Sequence, residues 1–175
     1  MRRLAAAIPG FDRLRLVCLF VLCGVLGCAL EERAASFKLR EKIPFGVFEV
    51  SVEGWERVGE AHAPISSLRA PEGEKTIAVF VVWSGLESYE ESDRRVFAEA
   101  FLHDRLNLVD ADGLDYRSVS AMPREVYDFS NHAEPMPRDW VVVFHVGVES
   151  HAYTLRLRHP DPDNKDFDVA LVQLG

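Results

Sequence analysis

Cysteine is almost absent from this chain. Its three cysteines, Cys18, Cys23 and Cys28, lie close to the N-terminus, and none occurs in the rest of the 175-residue sequence. A disulfide framework therefore cannot form within the body of the chain, although a secreted compartment would permit one. The folded part must rely on its own hydrophobic core, for which a chain of this length is sufficient.

Basic charge is also scarce relative to acidic charge. The chain has 20 Lys and Arg residues against 28 Asp and Glu residues, which gives a formal net charge of −8. Proteins that follow phosphate backbones depend on clustered Lys and Arg, so we expect no nucleic-acid partner. The acidic balance instead favours a soluble body that anionic lipid headgroups repel.

The common motifs of enzymes and cofactor sites are missing as well. The sequence has no Gly-x-Ser-x-Gly, no Gly-x-Gly-x-x-Gly and no glycine-rich phosphate loop. Carboxylate pairs such as Glu90 and Glu91 fall in a charged run that is typical of a solvated surface. None of the six histidines has the close spacing of a zinc site. We therefore predict a protein that is not an enzyme and that holds no cofactor.

An uncharged apolar run occupies residues 16–30, with the sequence LVCLFVLCGVLGCAL. It follows a basic leader that contains Arg2, Arg3, Arg13 and Arg15. A membrane-spanning helix needs roughly 20 apolar residues, so this run is short for a span. A basic leader, a short apolar run and small residues in that order are typical of a secretory signal.

The end of the apolar run resembles the lipobox of bacterial lipoproteins. The motif consists of Val25, Leu26, Gly27 and Cys28. The resemblance implies cleavage before Cys28 and acylation of that residue, which would anchor the chain to the cell envelope. Ala29 follows the cysteine where lipoproteins retained in the inner membrane often have Asp, so a Gram-negative host implies the outer membrane. The alternative is an uncleaved, membrane-anchored subunit of an envelope complex.

Three segments follow from this interpretation: a signal peptide at residues 1–27, a lipidated tether at 28–42 and a folded domain at 43–175. In the domain, apolar side chains alternate with polar ones, as at Phe48, Val50 and Val52. The runs KTIAVFVVW and WVVVFHV are apolar on both faces and predict central strands. We expect an all-β, immunoglobulin-like antiparallel sandwich of about seven or eight strands, preceded by an N-terminal signal helix. A short helix inserted within residues 92–104 is favoured, although Val96, Ala98, Ala100 and Leu102 also alternate as a strand would.

The order of these strands resembles the immunoglobulin-like extracellular domain family DUF4352, which occurs on many bacterial lipoproteins. The similarity rests on a first strand PFGVFEVSVEGW, a hairpin with the pattern Asp-x-Asp-Gly-x-x-Tyr at residues 110–116, and the strands WVVVFHV and YTLRLR. It covers roughly residues 43–174. The family has no settled activity, so the resemblance implies a fold and an envelope location only.

An acidic loop at residues 161–168 is the densest group of potential metal ligands. Asp161, Asp163, Asn164 and Asp166 supply oxygens of the kind that calcium prefers. The same residue types also form turns, because they bond their own backbone or fix its dihedral angles. We favour the turn interpretation, and keep a calcium-binding or metal-dependent hydrolytic domain as the alternative. At the hairpin, Asp110, Asp112 and Asp115 are explained by the Asp-Gly turn.

A proline-rich loop carries apolar side chains that no strand pattern explains. They are Tyr127, Phe129, His132 and Met136. Loops on rigid sandwiches often carry binding residues, so this loop is a candidate partner surface for an envelope protein or a glycan. We favour the other interpretation, a loop that folds back and caps one end of the core, because most buried aromatic area serves packing. Together these observations predict a lipid-anchored envelope protein whose sandwich is a non-catalytic binding or accessory module.

Overall fold

The structure is a computed structural model that describes residues 32–59, 65–85, 101–128 and 138–175. Nine β-strands form the framework of these residues. The strands are β1 (Ala34–Phe37), β2 (Ile43–Pro44), β3 (Glu49–Arg57), β4 (Glu74–Ser84), β5 (Leu106–Val109), β6 (Asp115–Pro123), β7 (Asp139–Gly147), β8 (Thr154–Arg158) and β9 (Val169–Gln173). The described residues also contain a 3-10 helix (Ser66–Leu68) and helix α1 (Arg124–Tyr127). Residues Arg33–Gly175 form one compact unit.

The strands follow one another in the order β1-β9-β8-β5-β6-β7-β4-β3-β2. All neighbours are antiparallel except β1 and β9, which run parallel from the pair Ala34–Val169 to the pair Phe37–Val172. One layer contains β3, β4, β7 and β6, and the other contains β5, β8 and β9. These are the neighbour relations of the two sheets of an immunoglobulin domain. The predicted all-β, immunoglobulin-like sandwich is therefore confirmed.

Strand β6 belongs to both layers. Its first residues pair with β5 as far as Arg117, and its later residues pair with β7 from Ser118 onward. The register shifts between Ser118 and Ser120, which leaves Val119 as the extra residue of a β-bulge. Because a bulge bends a strand and increases its twist, β6 can pass from one sheet to the other.

The central strands are apolar on both sides because both of their faces are covered. Between the sheets, residues such as Val79 and Phe144 pack with Leu108 and Leu155. On the outer face of β4 and β7, a second cluster of buried side chains lies beneath the 3-10 helix and α1: Leu68, Ala78, Met122, Tyr127, Val141 and Val143. The unit thus has a hydrophobic core of its own, as expected of a domain that folds independently.

Two short strands were not expected from the sequence. β1 lies inside the segment 28–42, for which we predicted a tether, so the sheet begins at Ala34 rather than near Ile43. β2 adds a two-residue pairing with β3. Neither strand could be recognised from an alternation of apolar and polar residues, because each is too short to show a period of two. The total of nine strands exceeds the predicted seven or eight for this reason.

The predicted inserted helix is described only at its end. Residues 101–104 are helical, and the backbone N of Arg105 donates to the carbonyl of Phe101 at 3.0 Å. The start of that segment lies outside the described residues. None of the described helices combines the length and the apolar character that a membrane span requires.

The strand directions define two ends of the sandwich. The near end carries Arg33, Arg158 and Val169, where β1 and β9 begin and β8 ends. The far end carries the β5–β6 turn at residues 110–114 and the β7–β8 turn at residues 148–153. Tyr153 immediately precedes β8 there, and its hydroxyl donates to the carbonyl of Ser150 at 2.7 Å. This hydrogen bond to the preceding turn is the tyrosine corner of immunoglobulin-like folds.

Candidate functional site

Most residues of the predicted lipobox and loop surface lie outside the described residues. They are Val25, Leu26, Gly27 and Cys28 near the N-terminus, and Phe129, His132 and Met136 in the proline-rich loop. Their roles stay predictions.

Tyr127, the remaining member of the predicted partner surface, is buried. Its side chain is 1% exposed, and its ring packs edge-on against Phe80 with ring centroids 5.9 Å apart. Its hydroxyl donates a hydrogen bond to Glu56 Oε1 at 2.5 Å. Burial raises the pKa of Tyr127, and the Glu56 carboxylate raises it further. Tyr127 therefore caps the outer core, as the favoured interpretation of this loop expects. Its place in the candidate partner surface was wrong, because its ring is buried.

The acidic loop at residues 161–168 is built from turns. Asp161 Oδ1 accepts a hydrogen bond from the backbone N of Asp163 at 2.9 Å. Asn164 Nδ2 donates to the carbonyl of Phe167 at 2.6 Å. Side chains that bond the backbone two or three residues away are the turn chemistry favoured for this loop on sequence grounds.

The guanidinium of Arg33 fills the oxygen-rich side of this loop. It donates to the carbonyls of Asn164 and Lys165, the latter at 2.7 Å. It also forms a two-point pair with Asp168, at 2.6 Å from Nη2 to Oδ1 and 3.2 Å from Nε to Oδ2. These hydrogen bonds from Arg33 lower the pKa of Asp168. A calcium ion at this face would have to displace the guanidinium. Among the described residues, no group of three His, Cys, Asp or Glu side chains is placed to hold a metal ion.

At the far end, Asp110 locks two turns together. Its carboxylate is 6% exposed and accepts hydrogen bonds from Ser150 Oγ at 2.8 Å and from Tyr116 Oη at 3.0 Å. The backbone N atoms of Asp112 and Leu114 also donate to it, both at 3.0 Å. Burial alone would raise the pKa of Asp110, but these four hydrogen bonds outweigh it and the pKa is lowered. The β5–β6 and β7–β8 turns therefore form one rigid unit.

This unit exposes apolar side chains on both turns. Leu114 is 57% exposed and Val148 is 48% exposed. A backbone hydrogen bond from the N of Ala111 to the carbonyl of His151, at 3.1 Å, joins the two turns. Loops held this firmly on a scaffold are well suited to present binding residues. We call residues 110–114 and 148–153 the far-end surface.

A polar cleft of about 340 Å³ lies on the outer face of the layer formed by β5, β8 and the start of β6. Four arginines line it: Arg105, Arg117, Arg156 and Arg158. The lining also includes Asn107 and, at the edge next to β1, Val169. We refer to it as the arginine cleft.

Strand register explains how the arginines converge. Asn107 pairs with Arg117 on one side and with Arg156 on the other, so these two arginines emerge about 10 Å apart. The backbone N of Arg158 donates to the carbonyl of Arg105 at 2.8 Å, which places those two residues side by side. Arg156 Nη1 also lies 3.7 Å from Asp115 Oδ2. The arginine cleft therefore gathers four positive charges on one sheet face, one of which lies beside the carboxylate of Asp115.

Sequence reasoning missed the arginine cleft. A partial signal was available, since Arg156 and Arg158 alternate with buried leucines in YTLRLR and must share the outer face. Arg105 and Arg117 are far from Arg156 and Arg158 in the sequence. Only the pairing of β5 with β6 and β8 brings all four arginines together.

Comparisons with known proteins find resemblance at the level of structure. No family model matches the chain, and no curated protein matches it. An uncharacterized β-sandwich protein from Clostridium difficile 630 is similar over 83% of this chain and 97% of its own, with 13% identity and a TM-score of 0.49. The yjhA protein of Bacillus subtilis is similar over 79% of this chain and 98% of its own, with 16% identity and a TM-score of 0.36.

A third similar structure is ycdA of Bacillus subtilis, which is named as a candidate lipoprotein. The similarity covers 75% of this chain but 37% of that protein, with 10% identity and a TM-score of 0.37.

Proposed function

We propose that this chain is a lipid-anchored cell-envelope protein whose sandwich acts as a non-catalytic binding or accessory module. Acyl groups on Cys28 hold it to the membrane, in the outer membrane if the host is Gram-negative. The far-end surface meets a protein or glycan of the envelope. The resemblance to DUF4352 stays a prediction, because no family model matches the chain.

The observation that carries this proposal is the position of Arg33. This residue fastens the start of the compact unit through its contacts with Lys165 and Asp168, and it comes five positions after Cys28. Five residues span at most about 18 Å even when fully extended. An acyl anchor at Cys28 would therefore hold the near end of the sandwich close to the bilayer surface.

The far-end surface lies at the opposite end of the strands from Arg33. Its turns are fixed by Asp110 and present Leu114 and Val148 to solvent. This geometry supports a module that is tethered at one end and engages a partner at the other.

The test is metabolic labelling with palmitate in a bacterial host, comparing the wild-type chain with Cys28→Ser. We expect label on the wild-type protein, none on the variant, and release of the variant from the membrane fraction. Gly27→Asp should also block processing, whereas Cys23→Ser should label normally. Equal labelling of wild type and Cys28→Ser would overturn the anchor and, with it, the proposed location.

A second experiment addresses the far-end surface. A photo-crosslinking amino acid at Leu114 should give a discrete adduct in intact cells, and Leu114→Ser should weaken the association of the same partner. Val47, which is 65% exposed in the turn before β3, is the matched control site. Adducts that are identical at both sites would contradict a specific partner at the far end.

A further inference from the structure

We propose that the arginine cleft binds the anionic phospholipid headgroups of the membrane in which Cys28 is acylated, and so fixes how the sandwich rests on that membrane. This inference depends on the proposed anchor for its biological setting. The binding itself is a property of the folded domain and can be tested separately.

The first argument is the charge of the cleft. Four arginines and one carboxylate, Asp104, line it, although the chain as a whole has a net charge of −8. Arginine forms two-point hydrogen bonds with phosphate oxygens, which suits it to the headgroup of a phospholipid. A cluster of basic side chains next to an anionic membrane contributes about 1 kcal/mol per residue.

The second argument is the position of the cleft beside the start of β1. Ala34 pairs with Val169, and Val169 pairs with Arg158. Arg158 is therefore two strand spacings, about 10 Å, from the strand that leads back to the anchor. Since the chain from Cys28 to Arg33 spans at most about 18 Å, the cleft stays within reach of the headgroups of an anchored protein.

The third argument concerns the distance over which the acidic residues of the domain can repel an anionic membrane. Net acidity alone predicts repulsion from an anionic surface, as we expected from the sequence. Salt screens charges beyond about 8 Å at physiological ionic strength, so acidic residues at the far end have little effect on the near end. The acidic loop at residues 161–168 lies at the near end and opposes an approach by that end, whereas on the sheet face the four arginines outnumber the nearest carboxylates, Asp104 and Asp115. The local arginines therefore decide the sign of the interaction at the cleft.

Membrane anchoring by lipid commonly needs two signals, and a basic patch is one of the known partners of an acyl chain. In this protein the patch would add orientation as well as affinity. The cleft lies on a sheet face, so a domain that rests on it places β5 and β8 along the bilayer and directs the far-end surface sideways, over the membrane.

The experiment uses residues 28–175 with Cys28→Ser, which contain the whole compact unit and carry no acyl group. Co-sedimentation is measured with vesicles of equal parts phosphatidylglycerol and phosphatidylcholine, and with vesicles of phosphatidylcholine alone. We expect binding at millimolar lipid to the first vesicles only, and its loss when the salt is raised from 0.05 M to 0.5 M.

Variants assign the binding to the cleft. Arg105→Gln/Arg117→Gln should weaken binding by roughly 25-fold, since each lost charge corresponds to about fivefold. Arg57→Gln/Arg69→Gln, which makes the same charge change at exposed positions outside the cleft, should retain it. The charge-preserving pair Arg105→Lys/Arg117→Lys should bind within severalfold of the wild type, and circular dichroism melting identifies any variant that fails to fold.

Several results would overturn the inference. Equal binding to both kinds of vesicle, or an equal loss in the two glutamine double variants, would remove the role of the cleft. Binding to polygalacturonate without any binding to vesicles would assign the cleft to an anionic glycan instead. None of these results depends on acylation, so failure of palmitate labelling at Cys28 remains a separate outcome that removes only the anchor.

Discussion

Arg33 Nη2 lies 2.6 Å from Asp168 Oδ1, at the point where β1 and β9, the first and last strands along the chain, begin side by side. The backbone reinforces the pair, because the N of Asp168 donates to the carbonyl of Arg33 at 2.8 Å and the N of Arg33 donates back to Asp168 Oδ2 at 2.8 Å. The chain therefore enters its folded domain through a fixed point.

The first prediction concerns this pair and pH. The folded pKa of Asp168 is lowered by Arg33, so the pair contributes stability above the unfolded pKa of about 3.9 and loses it as pH falls through the folded value. We expect Arg33→Gln to lower the urea midpoint clearly at pH 7 and by less at pH 3. Arg40→Gln, at an exposed position, is the control. If Arg33→Gln lowered the urea midpoint by the same amount at both pH values, the result would contradict the assignment of the lowered Asp168 pKa to Arg33.

The second prediction concerns the lock at the far end. Asp110→Asn replaces a carboxylate that accepts four hydrogen bonds with an amide that accepts fewer. We expect a melting temperature several degrees lower at pH 7, and faster amide hydrogen exchange in both turns of the far-end surface. Because the pKa of Asp110 is lowered in the fold, the gap from the wild type should narrow below about pH 4. Exchange that accelerates in the β5–β6 turn alone would show that the two turns are not coupled.

The third prediction concerns the tyrosine corner. Tyr153→Phe keeps the ring that packs edge-on against Trp55 and removes only the hydrogen bond to the carbonyl of Ser150. The expected loss is about 1 kcal/mol in the free energy of unfolding, the usual net contribution of one such bond. Chemical denaturation measures it. Tyr153→Leu, which also loses the ring, should cost clearly more. A Tyr153→Phe variant as stable as the wild type would mean that the hydroxyl contributes nothing beyond the ring.

The fourth prediction concerns Gly85, which directly follows β4 and has φ +95°. A Cβ added there would lie 2.8 Å from the carbonyl oxygen of Val47 and 3.1 Å from Cα of Phe48, so the backbone would have to move. We expect Gly85→Ala to cost about 2 kcal/mol or more. Gly54→Ala is the matched control, because nothing lies within 4 Å of its Cβ position. Thermal melting should separate the two variants clearly, and similar melting temperatures would disprove the close approach.

Much of the fold could be predicted because the strands carry strong local patterns. β4 and β7 are apolar on both faces, and the structure covers both faces, so burial and sequence agree. β1 could not be predicted, because its four residues AASF alternate only between exposed and half-buried positions and gain their order from pairing with β9.

The candidate sites were harder to predict for a related reason. Tyr127 lies in a stretch without periodicity, so the sequence could not distinguish a buried cap from an exposed loop residue. The acidic loop could be interpreted as turns from its residue types, but nothing local indicated that Arg33 would fill it. The arginine cleft depends on residues from four strands and from the segment just before β5, and its positive charge is outweighed in the net charge of the chain.

The parallel pairing of β1 with β9 has a mechanical consequence. A pull between an anchor at Cys28 and a partner at the far-end surface acts along the axis of β1, because that strand begins at the near end. The force would act on all the β1–β9 hydrogen bonds at once, beginning at the contacts of Arg33, and would not break them one at a time. Strands loaded in this direction resist extension far better than strands that unzip, so a protein held in this way could bear tension between a membrane and the structure it grips.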